Sequence, residues 1–86
     1  MKNVLPINVL ESVQMALTGQ STLEDINTLM GSISITSDNE LLGKALHQAF
    51  HFLDDQDIRE RDKEYDALCR QNLSDYVNRI REKYDL

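Results

Sequence analysis

The sequence predicts an all-α fold, a small bundle of four helices in a single domain spanning 1–86. Three observations predict it. Apolar residues recur every three or four positions along most of the chain. Residues 44 to 86 contain no Gly and no Pro, the residues that most often stop a helix. Only one short run, Ser32 to Thr36, alternates polar and apolar in the manner of a strand, and a strand needs a partner.

The first helix is expected over about 6–18. Pro6 suits a first turn, where its missing N–H costs nothing. Val9, Leu10, Val13, Ala16 and Leu17 follow at helical spacing, and Gly19 offers a left-handed stop. The second helix is expected over about 22–30. Ser21 and Glu24 match a capping box before Leu23, Ile26 and Met30, with Gly31 as the stop. Ser32 to Thr36 then reads as an extended connector whose two isoleucines turn inward.

A second capping box, Ser37 with Glu40, opens the third helix, expected over about 38–53. Its stripe is Leu42, Ala45, Leu46, Ala49 and Leu53, widened by Phe50 and Phe52. Residues 54–64 then hold one apolar side chain, Ile58, and six acids against three bases. A helix that is polar all round cannot pack into a core. A turn is therefore expected near Asp54 to Gln56, with a fourth helix over about 57–83 started by Asp57 and Glu60. The competing reading is one continuous helix, and acid-before-base pairs four apart support either reading: Asp55 with Arg59, Asp57 with Arg61, Asp66 with Arg70, Asp75 with Arg79. Each adds only about 0.2–0.5 kcal/mol.

An unbroken helix over the second half would run about 65 Å. A domain of this size has a radius of gyration of about 12 Å. The last helix must therefore fold back or project to pair with a second copy.

The chain has 86 residues and a net charge of −6. That balance opposes direct binding to nucleic acid or to an anionic membrane. No run approaches the roughly 20 apolar residues of a membrane span. Cys69 is the only cysteine, which fits a reducing, cytoplasmic setting without a disulfide. The N-terminal apolar run is too short and broken for a signal peptide.

Few motifs carry chemistry. His47 and His51 are four apart and face one side of a helix, a spacing that can hold zinc or nickel. The zinc-protease pattern lacks its Glu at position 48, which is Gln. Two polar histidines beside the core are the expectation, and no metal or cofactor is assigned. Cys69 lies in an apolar stripe and reads as a small core residue rather than a nucleophile. The acids near Asp57 lack the glycine and distal Glu of a calcium loop. The three glycines fit helix ends, not a phosphate loop.

What remains is a binding role. Tyr65, Leu68, Cys69, Leu73, Tyr76, Val77, Ile80 and Tyr84 form one long stripe, available either to the core or to a partner. Asp54, Asp55, Asp57 and Glu60 form an acidic patch. The expectation is a small acidic non-enzymatic regulator or inhibitor of bacterial or phage type. It binds another protein through helical surfaces, as a homodimer. The alternatives are a nucleic-acid mimic that blocks a DNA-binding protein, and a metal or thiol enzyme.

Overall fold

A computed structural model describes residues 6–33 and 39–86. Among them are five helices and no strand: α1 (Pro6–Leu17), α2 (Leu23–Ser32), α3 (Glu40–Asp54), α4 (Gln56–Arg61) and α5 (Lys63–Tyr84). The all-α class is as expected. The count differs because the polar segment after α3 breaks twice.

The first break, at Asp55, is a kink. Its N–H still donates to the His51 carbonyl at 2.9 Å, and its own carbonyl accepts from Arg59 N–H at 2.9 Å. The second, at Asp62, is where the chain turns back. Asp62 is extended (φ −124°, ψ 99°), and its carboxylate accepts from the Tyr65 N–H at 3.1 Å. The expected turn at 54–56 is present at Asp55, and a helix starts at Gln56, within one residue of Asp57. That helix is the short α4 and ends at Arg61, so the expected single helix over 57–83 is corrected. Asp62, not Asp57, caps the long helix, because an N-cap needs non-helical backbone and Asp57 stays helical.

After Asp62 the chain folds back instead of projecting. α5 packs on α3 and α1, α2 packs on α3, and the radius of gyration is 12.5 Å. α3 is the central element. Its Leu42, Ala45, Leu46, Ala49 and Phe52 are buried against Val9, Leu10, Val13 and Ala16 of α1, Ile26 of α2, and Cys69, Leu73, Val77 and Ile80 of α5. The core is aliphatic apart from Phe52 and Cys69. Burying each Leu or Ile contributes about 1.5–3 kcal/mol.

Local signals shift by small steps. Ser21 is buried, and its hydroxyl donates to the Ser12 carbonyl at 3.1 Å, tying the loop to α1. The capping box therefore moves one residue on, to Thr22 and Asp25, which bond each other's backbone N–H at 3.2 and 3.1 Å. Gly19 takes the left-handed conformation (φ 79°) and closes α1 as expected. Gly31 and Gly43 do not end helices but lie inside α2 and α3. The Ser37 capping box and most of the 32–36 connector lie outside the described residues. Ile33, at its start, is extended and half-buried against the core. α5 ends on Asp85, left-handed at φ 54°, without a glycine.

Candidate functional site

Helical geometry divides α5 into two faces. Cys69, Leu73, Val77 and Ile80 point into the core. These four of the eight stripe residues are enclosed by their own chain and offer nothing to a partner. Tyr65, Tyr76 and Tyr84 are half-buried and pack against that core. Leu68 alone faces out, 57% exposed.

At 100° per residue, Tyr65, Leu68, Asn72, Tyr76 and Arg79 share one flank of α5, and Asp75 stands at its edge. That flank borders α3. Two adjoining hollows mark the border. One, of about 420 Å³, is lined by Met30, Ile33, Lys44, His47, Gln48 and Tyr76 among others. The second, of about 210 Å³, is lined by Gln48, Asn72, Asp75, Tyr76 and Arg79. Tyr76 and Gln48 belong to both. The Arg79 guanidinium lies 5.5 Å from the Tyr76 ring centroid. Aromatic and Arg side chains around a partly apolar hollow, with a polar rim, are the composition of protein contact surfaces.

The acidic patch is exposed at three of its four positions. Asp54, Asp57 and Glu60 are exposed. Asp55 is half-buried and accepts a hydrogen bond from the Tyr65 hydroxyl at 2.6 Å. That bond holds the phenol proton and raises the Tyr65 pKa well above its ordinary 10.0, with contributions from Cys69 and from burial.

The sequence reading missed Arg59. It lies in the most polar stretch of the chain, yet it is 8% exposed. Its guanidinium stacks 3.6 Å from the Phe52 ring centroid. Its Nε–H donates to the Phe52 carbonyl at 2.8 Å and its Nη1 to Asp66 Oδ1 at 2.9 Å. The expected Asp55–Arg59 pair is replaced by this one. Asp66 also pairs with Arg70 at 2.9 Å, as its spacing predicts, and Arg70 reaches the Leu17 carbonyl of α1 at 3.0 Å. Arg59 first, and Arg70 second, hold the Asp66 carboxyl below its ordinary range, against a smaller opposing effect of burial. The only sequence signal was Phe52 and Asp66 standing seven residues either side of Arg59. Periodicity does not read such a pattern across a helix break.

His47 and His51 are both exposed on α3, with ring centroids 4.4 Å apart and edge-to-face. Cys69 is buried beside Tyr65. No group of three His, Cys, Asp or Glu side chains is arranged to hold a metal among the described residues. No helix among them is long and apolar enough to cross a membrane. No protein-family model, no curated protein and no solved structure matches this chain.

Proposed function

We propose that this chain is a small non-enzymatic regulator or inhibitor that binds protein in the cytoplasm, and that its first partner is a second copy of itself. The observation that supports this is the α3–α5 face, where Tyr76 stands between two hollows and the exposed Leu68 lies about two turns away along the same flank of α5. The same flank carries Asp75 and Arg79, four residues apart. A two-fold axis between them sets each acid opposite the partner's base, so the surface is self-complementary, as an isologous dimer requires. The lone buried thiol fits a reducing compartment.

Sedimentation velocity from low to high micromolar protein tests this. The expected result is a rise from the 9.9 kDa monomer toward twice that mass. Leu68→Asp, which touches no core, should hold the chain monomeric with an unchanged circular dichroism spectrum. A wild-type chain that stays monomeric throughout would overturn the dimer.

A second reading, mimicry of nucleic acid, gains from one observation. Arg59 turns inward, so the outer side of α4 keeps Asp57 and Glu60 with one fewer interrupting cation. Binding to a basic protein groove should then weaken steeply with salt. Salt-independent binding removes this reading.

A further inference from the structure

We infer that His47 and His51 form a two-ligand chelate on α3 for a divalent late transition metal, copper(II) foremost, with nickel and zinc behind it. The two Nε2 atoms stand 3.0 Å apart, aimed at each other across one helical turn. Metal–imidazole bonds are about 2.0–2.1 Å long. Two such bonds at right angles put their nitrogens about 2.9 Å apart, and at the tetrahedral angle about 3.3 Å. The observed separation falls between these and lies nearer the square arrangement that copper(II) and nickel(II) prefer. At this separation both nitrogens reach one ion once the rings turn their Nε2 lone pairs from each other toward it.

The surroundings favour a cation. His51 is in the last turn of α3, where the helix dipole is negative. Asp54, exposed, follows three residues after His51, and the whole chain carries −6. The neighbouring cation, Lys44, is paired with Glu40 at 3.2 Å. Both rings are exposed, so the remaining coordination positions open to water. In the metal-free pair one Nε2–H donates and the other Nε2 accepts. Metal binding needs both lone pairs, so the donor ring shifts its proton to Nδ1. With neutral rings no net proton is released.

Isothermal titration of the full chain with Cu²⁺, and separately with Zn²⁺, tests the site, using wild type, His47→Ala, His51→Ala and the double variant. Copper should bind at one equivalent and more tightly than zinc. Each single substitution should weaken binding by about tenfold or more, since losing even an outer-shell partner costs about 10–100-fold. Electron paramagnetic resonance of the copper-loaded chain should show two equivalent nitrogens, falling to one in each single variant. Both histidines are exposed, so the variants keep the fold. The double variant retains Cys69 and the terminal amine. If it binds copper as wild type does, the metal is held elsewhere and the chelate is overturned. Equal affinity in either single variant overturns it as well.

Discussion

The two ends of α3 are held by different forces. From Leu42 to Ala49 the helix is fixed by close-packed aliphatic side chains from α1, α2 and α5. At Phe52 it is fixed by Arg59, whose charge is matched by Asp66 and whose planar head covers the ring. The first kind of contact carries no charge and does not titrate. The second is directional, charged, and joins three helices through a few atoms. A small all-α chain can close its last helix onto its core with either, and this one uses both.

The largest effect should come from breaking the aliphatic end. Leu46 has no exposed surface, so Leu46→Ala should cost about 2–5 kcal/mol, read as a fall in denaturation midpoint. A loss below about 1 kcal/mol would mean that α3 is not the centre of the packing. Next is the charged end. Arg59→Ala removes a charge-assisted bond to the Phe52 carbonyl, worth about 1.5–3 kcal/mol, and leaves Asp66 to Arg70 alone. Arg59→Lys should recover little, since a lysine cannot both stack and fork.

The contrast sharpens with pH. The carboxyl of Asp66 titrates lower in the fold than its ordinary 3.8. Its contribution is therefore complete above that value and is lost as pH falls through the lower folded value. Asp66→Asn should flatten this acid limb of a stability-against-pH curve. Tyr65 behaves in the opposite sense. Its folded pKa is above 10.0, so its contribution is intact below pH 10 and is lost as the pH rises beyond it. Tyr65→Phe should remove that alkaline limb. Neither limb should change in Leu46→Ala. The smallest effect is stabilising. Gly31 lies within α2 with open space where a Cβ would go, so Gly31→Ala should add about 0.5–1 kcal/mol.

The aliphatic end was legible in the sequence and the charged end was not, for a physical reason. Val9, Val13, Leu42, Leu46, Leu73 and Ile80 announce themselves by spacing because an apolar side chain needs only to face inward. Arg59 is buried through specific partners, and those partners meet only after the chain has turned at Asp62. Asp62 was hidden among four aspartates in 54–64, any of which has the chemistry to cap a helix. The capping box slipped from Ser21 to Thr22 because a tertiary bond to Ser12 claimed the serine hydroxyl. On the candidate face, Tyr76 and Leu68 were readable as stripe residues. Gln48 and Arg79 were not, since only the packing of α5 on α3 brings them together.

The burial of Cys69 gives the chain a built-in stopwatch. It carries the molecule's single sulfhydryl on the inward side of α5, 7% exposed. A thiol reagent must wait until that helix lifts, so the labelling rate counts how often the last element detaches. Loosening the guanidinium clasp should quicken that clock before any spectroscopic signal of unfolding changes.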